Sequence, residues 1–246
     1  MTAQVGWVCG KERYVGEIVP VFQSAEVRDK HEGTNVIRNI LGQSYLALVY
    51  YRGQDNFHRS YDFLDSTNSL SDWENFRLSH RPSSRIVMAT MTYAANLDGH
   101  AKIPAVTYRE TDKHRLITGT TGSTTECARL LGCPAIKGDT EDIADWVVGK
   151  GLMNLPETLR LIAQVPCSMN MVFTLFEKPA DDLRVYLLHS KSKTEPSRPY
   201  FSYTQTKLGL IYSSLPEEAN SLMSGDFKSV PEGSVESLVV PTNEVE

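Results

Sequence analysis

The pattern of apolar and polar residues divides the N-terminal part of the chain into three stretches. Residues 5–8 form a short apolar run that predicts a buried strand. From Thr34 onward, apolar residues recur near the 3.6-residue period of an amphipathic helix, and they are Ile37, Leu41, Tyr45 and Leu48. Residues 54–82 are rich in Ser, Asn and Asp, which predicts loops and short turns.

Strand and helix signals alternate in the middle of the chain. Apolar stretches predict two strands, at residues 85–93 and 115–118. Ser123 and Asp139 each open a capping-box pattern, in which side chains satisfy the free amides of a helix's first turn. Gly132 stands where a left-handed residue ends the first of these helices, and Pro156 fits the first turn of a third helix.

After Pro166 the pattern changes to short apolar segments separated by turn residues. These segments predict strands at residues 169–176, 183–189, 199–203 and 209–213. Strands, then helices, then several antiparallel strands are typical of a layered α+β domain. Strict βαβ alternation, the pattern of a parallel sheet, fits this order less well.

Composition and charge narrow the class of protein. The chain has 246 residues, 41% of them hydrophobic, which is enough for one domain with a sizeable core over residues 1–246. Its 25 basic and 30 acidic residues give a net charge of −5, which argues against broad nucleic-acid binding. The longest uncharged run, residues 161–176, is too short and too polar to span a bilayer. Charged residues close to the N-terminus argue against a signal peptide, so we expect a cytoplasmic protein.

Nothing in the sequence predicts a metal site or a cofactor. The four cysteines, Cys9, Cys127, Cys133 and Cys167, include no Cys-x-x-Cys pair and no histidine at ligand spacing. They also argue against a disulfide framework. Residues 119–122 begin and end with glycine but lack the Gly-Lys-Ser/Thr ending of a phosphate-binding loop.

Several short motifs follow one another along the chain. They are Val5-Gly6, Tyr51-Arg52-Gly53-Gln54-Asp55, Gly138-Asp139-Thr140-Glu141, Arg198-Pro199-Tyr200, Leu210-Ile211-Tyr212-Ser213-Ser214 and Val230-Pro231-Glu232-Gly233. In content and order they resemble the class II glutamine amidotransferase domains, over nearly the whole chain. The resemblance implies the four-layer αββα sandwich of the N-terminal nucleophile hydrolases, with two antiparallel sheets between helical layers.

The resemblance also implies that the first residue of the mature chain is the nucleophile. Family members begin Cys-Gly-Ile-Val-Gly, whereas Thr2 stands at the cysteine's position here. The α-amine of Thr2 would act as general base, because an α-amine has a pKa of about 7.7–8, close to neutrality. This chemistry requires removal of Met1. A threonine at the second position is also common in proteins where it has no catalytic meaning.

Cys9 is the competing nucleophile, because some family members lose a short propeptide before their Cys-Gly pair. Three charged residues follow Cys9-Gly10 where a buried strand should continue, namely Lys11, Glu12 and Arg13. The simpler interpretation of Cys9 is a core thiol near the end of a strand.

For the oxyanion hole the resemblance implies an Asn-Gly pair, and Thr118-Gly119 stand in that place. Gly119 keeps a backbone N–H, but the Thr118 hydroxyl replaces a fixed amide donor. Loss of one oxyanion donor costs about 2.7–4 kcal/mol of transition-state stabilisation. The alternative interpretation of residues 119–122 is a tight turn between a strand and a helix.

Free glutamine presents an α-ammonium and an α-carboxylate, which pair with an acidic residue and an arginine. Asp139 matches the family's ammonium-binding Asp, or else it only caps a helix. Two registers compete for the arginine, since one places Arg85 there and the other places Val87 and loses carboxylate binding. Both positions have the same parity in a strand, so alternation does not decide between them. We expect Arg52 to support the wall of the site.

Together these features predict hydrolysis of glutamine or a similar side-chain amide through Thr2, with no cofactor. Ammonia would pass to a partner protein, because the chain holds no synthase or ATP-binding segment. The alternative is a catalytically inactive relative kept as a binding or structural module, since Thr2, Ala3 and Thr118 replace the family's residues. A third possibility is an amidase for a less charged amide, which Val87 would favour. No nucleic-acid or membrane partner is expected.

Overall fold

A computed structural model describes a large part of the chain, and the described residues are 4–10, 42–52, 56–60, 85–95, 106–122, 124–134, 136, 139–177, 182–191, 201–206, 209–214 and 226–240. They fall into two compact units. The first is drawn from Met1–Lys102 and Ser202–Lys228, and the second from Ile103–Phe201 and Ser229–Glu246. The chain therefore crosses from one unit to the other more than once. A single domain over residues 1–246 stays a prediction.

The described strands and helices give a mixed α/β composition in which both sheets are antiparallel. The strands are β1 (Gln4–Gly10), β2 (Gly42–Arg52), β3 (Asn56–Ser60), β4 (Arg85–Ala95), β5 (Val106–Glu110), β6 (His114–Gly122), β7 (Met169–Glu177), β8 (Asp182–His189), β9 (Ser202–Thr206), β10 (Gly209–Ser213), β11 (Lys228–Ser229) and β12 (Ser234–Val240). The helices are α1 (Thr124–Leu131), α2 (Asp139–Lys150) and α3 (Leu155–Ala163), with a 3-10 turn at Leu152–Asn154. The α+β class that the sequence predicts is confirmed. None of the helices in the described ranges is long and apolar enough to cross a membrane.

The first unit is built on a seven-stranded sheet in the order β11-β9-β10-β1-β4-β2-β3. The N-terminal strand β1 lies inside this sheet, paired antiparallel with β10 on one side and β4 on the other. The apolar run at residues 5–8 predicts this strand, and its pairing on both sides satisfies its backbone groups. The strands predicted at the N-terminus, at residues 85–93 and at residues 209–213 are confirmed.

One prediction in this unit is wrong. The helix inferred from the spacing of Ile37, Leu41, Tyr45 and Leu48 is, over its second half, strand β2, which pairs with β4 and β3. Residues 45–51 form a nearly continuous run of tyrosine, leucine, alanine and valine, and such a run fits a buried strand as well as a helix. Residues 34–41 lie outside the described residues. Strand β3 likewise falls within the stretch predicted as loops.

The second unit is built on a five-stranded sheet in the order β12-β8-β7-β6-β5, with the helices packed on one face. Alternate residues of β7 form the sheet's contribution to this core, namely Met169, Met171, Phe173 and Leu175. The helices contribute Cys127, Ile143, Val147, Leu159 and Ile162. Each fully buried aliphatic or aromatic side chain stabilises the fold by about 1.5–3 kcal/mol, so this layer is a principal source of the unit's stability.

The helix boundaries in this unit follow the sequence signals. Gly132, with φ of 70°, ends α1 in a Schellman motif, in which Cys133 N–H donates to the Ala128 carbonyl at 2.9 Å and Gly132 N–H to that of Arg129 at 3.2 Å. Pro156 lies in the first turn of α3. In α2 the buried Asp142 accepts a hydrogen bond from Ile136 N–H at 3.1 Å, which ties the preceding loop to the first turn of the helix.

Gly6 is the point of closest packing in β1. It pairs with Tyr212 of β10, which is one of the largest fully buried side chains among the described residues. A Cβ built on Gly6 would overlap the phenol ring of Tyr212. The absence of a side chain at Gly6 therefore creates the space that Tyr212 fills.

We expect Gly6→Ala to lower the free energy of unfolding by about 1–3 kcal/mol or more, because the added methyl group forces Tyr212 to move. Gly149→Ala is the matched control. Gly149 lies in α2 with no atom within 4 Å of its added Cβ, so this change should stabilise the protein by about 0.5–1 kcal/mol. Urea unfolding monitored by circular dichroism measures both. Equal stability of Gly6→Ala and wild type would show that the Tyr212 contact is not a constraint.

Candidate functional site

The residues that the sequence proposes as a site fall into both units, and each group is described by itself. Thr2 lies outside the described residues. In the first unit the register pairs Arg85 with Tyr51 and Arg52 with Asn56, so Arg52 and Arg85 lie at the same end of β2 and β4. The Tyr51-Arg52 pair ends strand β2, where the spacing of Leu41, Tyr45 and Leu48 predicted a helix.

The pairing of β2 with β4 contains an irregularity next to these arginines. Val49 pairs with Met88 and Tyr50 pairs with Ile86, so Val87 is the extra residue of a β-bulge. Bulges re-aim the flanking side chains and occur frequently beside active sites. In a regular strand, positions 85 and 87 have the same parity, so alternation alone does not distinguish them. The register of β2 on β4 shifts between these two positions, and no local sequence signal would have revealed the shift.

In the second unit Thr118 and Gly119 lie inside β6. Gly119 pairs with Val172 of β7 on one side and with Val106 of β5 on the other. The interpretation of residues 119–122 as a tight turn is therefore wrong, because the strand continues to its end at Gly122, whose φ is 98°. Gly and Thr residues are common in turns, but here they belong to a strand that is paired with β5 on one side and β7 on the other.

Thr118 occupies the helix-facing side of the sheet. It pairs with Phe173, which belongs to the core beneath the helices. The Thr118 hydroxyl is buried and has no hydrogen-bond partner in the described part of the structure. A free hydroxyl donor is therefore present where the family resemblance puts the first oxyanion group, although it lies on the side covered by helices.

A buried hydrogen bond connects this strand to the helix that carries Asp139. The hydroxyl oxygens of Thr120 and Thr140 lie 2.6 Å apart, and both residues are almost fully buried. Because Asp139 and Thr140 are adjacent in the first turn of α2, the bond holds the start of the helix beside β6. The structure thus places Thr118 and the backbone of Asp139 on the helix side of β6, whereas Gly119 lies on the opposite face of the strand.

A second connection, which the sequence did not indicate, joins α2 to β5. Arg109 Nε donates to a carboxylate oxygen of Asp145, and Arg109 Nη1 donates to Thr107 Oγ1 at 2.7 Å. Its remaining nitrogen lies 4.0 Å from a carboxylate oxygen of Glu141. The charged groups of Arg109, Asp145 and Glu141 are part-exposed, so their ion pairs add little to the stability of the fold. Their main contribution is to fix the orientation of α2.

The cysteines of the second unit are poor nucleophiles. A hydrogen bond to Cys167, together with burial, holds the pKa of the Cys127 thiol well above its ordinary value. Burial, with the nearby Asp142 carboxylate, raises the pKa of Cys133 to about 11. Since the thiolate is the reactive form, these thiols are inert at neutral pH. Within the described ranges no group of His, Cys, Asp and Glu side chains is arranged to hold a metal ion.

The similarity of this chain to known proteins lies in its structure. No protein-family model matches the sequence, and no curated protein is significantly similar to it in sequence. Among solved structures it resembles glutamine phosphoribosylpyrophosphate (PRPP) amidotransferase from B. subtilis complexed with ADP and GMP. The TM-score is 0.53 at 11% sequence identity, over 99% of this chain and 50% of that one. The chain thus has a fold similar to that of this amidotransferase and spans about half the length of that enzyme.

We expect Thr120→Val to lower the free energy of unfolding by about 1–3 kcal/mol, because it removes the buried hydrogen bond between Thr120 and Thr140. Thr120→Val/Thr140→Val should cost less than the sum of the two single changes, since it leaves neither hydroxyl behind. Thr118→Val is the control, and its loss of a hydroxyl with no partner should be neutral or stabilising. Urea unfolding of the wild type, Thr120→Val, Thr140→Val and the double variant measures the coupling. Additive effects of the two single changes would contradict it.

The raised pKa of Cys133 predicts slow alkylation at neutral pH. The rate of its reaction with iodoacetamide should rise about tenfold per pH unit up to a pH near the pKa, which is about 11. Peptide mass spectrometry resolves this cysteine from the others. Asp142→Asn removes a neighbouring negative charge, so it should lower the pKa and speed alkylation at pH 8. A rate that levels off below pH 9 would be inconsistent with a raised pKa.

Proposed function

We propose that this chain is an amidotransferase-like domain that hydrolyses a glutamine-like side-chain amide through Thr2. The observation that carries the proposal is the similarity to PRPP amidotransferase over 99% of this chain. The motif order along the sequence supports it independently, because the motifs come from both units. The corresponding architecture is the four-layer αββα sandwich of the N-terminal nucleophile hydrolases, in one domain over residues 1–246.

The proposed chemistry begins at the α-amine that removal of Met1 would free. This amine takes the hydroxyl proton of Thr2, and the resulting nucleophile attacks the carboxamide carbon of the substrate. Gly119, on the sheet face away from the helices, would stabilise the negative charge that develops on the amide oxygen, and Thr118 would contribute only through its backbone. The proton returns to the leaving nitrogen as ammonia departs, and water then hydrolyses the acyl-enzyme. The inert thiols of the second unit support a nucleophile other than those cysteines.

The amino-acid end of the substrate requires charged partners. Asp139 would bind the α-ammonium, and its place in the first turn of α2 is fixed by the adjacent Thr140. Arg85 would bind the α-carboxylate, and Arg52, at the same end of the neighbouring strand, would support the wall of the site. These roles rest on the motif positions together with the backbone register.

Ammonia released by this reaction would need an acceptor. PRPP amidotransferase is about twice the length of the region that matches this chain. We propose that an ammonia-using partner protein accepts this ammonia.

A catalytically inactive binding module is the second candidate function. The Thr118 hydroxyl favours it, because this group lies on the sheet face that packs against helices. From that face only the backbone of Thr118, and not its hydroxyl, could serve as an oxyanion donor. An inactive domain would keep the fold and lose turnover.

We expect the purified protein to release ammonia from L-glutamine and to lack Met1 by intact-mass spectrometry. Thr2→Ala should lower kcat by about a thousandfold or more, because it removes the nucleophile. Thr2→Ser is the matched control, which keeps the hydroxyl and the α-amine and should retain measurable turnover. Retained Met1, or equal rates in Thr2→Ala and wild type, would reject the mechanism in favour of the binding module.

A further inference from the structure

Three polar residues cross the second sheet in one row on the face away from the helices. The register pairs Thr121 of β6 with Asn170 of β7, and Asn170 in turn with His189 of β8. Gly119 occurs two residues earlier on β6, so it lies on the same face as Thr121. Directly opposite side chains on one face of a sheet have Cβ atoms about 4.5–5.5 Å apart, which is close enough to share a ligand.

The polar atoms of Thr121 and Asn170 have no hydrogen-bond partner in the part of the chain that the structure describes. They are Thr121 Oγ1, Asn170 Nδ2 and Asn170 Oδ1. Asn170 is fully buried and Thr121 nearly so. Buried polar side chains in proteins are almost always hydrogen-bonded, so an entire carboxamide with neither its donor nor its acceptor paired indicates a missing partner.

The neighbouring histidine differs, because its orientation is fixed. His189 Nδ1 lies 3.0 Å from the Val230 carbonyl oxygen, and since a carbonyl only accepts, Nδ1 is the donor. The His189 ring therefore does not satisfy Asn170 through that nitrogen. The unpartnered groups remain those of Thr121 and Asn170, at the end of the sheet where exposed Gly122 follows Thr121.

The donor and acceptor pattern of Asn170 selects the chemistry of the partner. A carboxamide offers an N–H donor and a carbonyl acceptor in one plane, and its best complement is a second carboxamide in the reverse orientation. A carboxylate could accept from Nδ2, but it would place negative charge against Oδ1. The Thr121 hydroxyl adds one further donor or acceptor. The row therefore fits a primary amide better than an acid.

We propose that Thr121 and Asn170 form a subsite that binds the primary carboxamide of a small molecule. This inference rests on the proposed function, for which it names the residues that hold the substrate's side-chain amide. In that role Asn170 supplies the fixed amide donor that Thr118 does not. Its N–H group lies on the same sheet face as Gly119, one strand away.

The test measures ligand-linked thermal stabilisation in the full chain carrying Thr2→Ala, in which turnover is absent. L-Glutamine and acetamide should raise Tm, and L-glutamate should raise it less. Asn170→Leu should abolish the rise while the free protein melts at a higher temperature than its parent, because an unpaired buried group is gone. Thr121→Val should weaken glutamine binding about tenfold. Ile117→Val, on the same face of β6, is the control and should leave the glutamine-linked rise intact.

The outcomes separate this inference from the proposed function. An unchanged glutamine-linked rise in Asn170→Leu would overturn the subsite, and so would a lower Tm of that variant without ligand, which would show that buried water already satisfies the carboxamide. Absence of any rise with glutamine or acetamide would overturn it as well. The role of Thr2 is decided separately, by ammonia release and by the mass of the N-terminus.

Discussion

The 2.6 Å contact between the hydroxyl groups of Thr120 and Thr140 lies where the first turn of α2 meets an inner strand of the second sheet. In a buried, low-dielectric position such a bond is strong, and its loss leaves a polar group without water to replace the partner. The Arg109–Asp145 pair constrains the same helix from β5. With two connections on different strands, α2 can neither slide along the sheet nor rotate about its axis without breaking one of them. The place of Asp139 at the start of this helix depends on that constraint.

Threonine residues place polar hydroxyl groups on both faces of β6. Thr118 and Thr120 are turned toward the helices, and Thr121 is turned to the other side together with Asn170. On the helix side Thr120 is paired and Thr118 is not, whereas on the other side neither Thr121 nor the Asn170 carboxamide has a described partner. Apolar residues at these positions would make the unliganded sheet more stable. Their retention is understandable if the sheet has a polar ligand, because natural proteins accept a loss of stability where binding requires it.

Sequence reasoning predicted the second unit well, because its signals are local. Gly132 and Pro156 mark helix ends by backbone chemistry that neighbouring residues cannot override, and both were placed correctly. The helix predicted over residues 34–48 failed because a run of apolar residues carries no reliable period, and only its pairing with β4 shows that it is a strand. Residues 119–122 failed for the opposite reason, since Gly and Thr suggest a turn in isolation. The register shift at Val87 and the row formed by Thr121, Asn170 and His189 depend on how distant strands pair. A single sequence does not contain that information.

The contrast between local signals and pairing of distant strands also explains why the sequence contains the family resemblance but does not define the site. Motifs such as Asp139-Thr140-Glu141 are contiguous, and here Thr140 connects the helix to the sheet. A contiguous motif of this kind remains recognisable in a single sequence. A polar contact between residues of different strands does not. Compensation from a different strand, such as Asn170 would provide, leaves no trace in the motif itself. Divergent members of such a fold are therefore better compared by the polar composition of each sheet face than by the residue at one motif position.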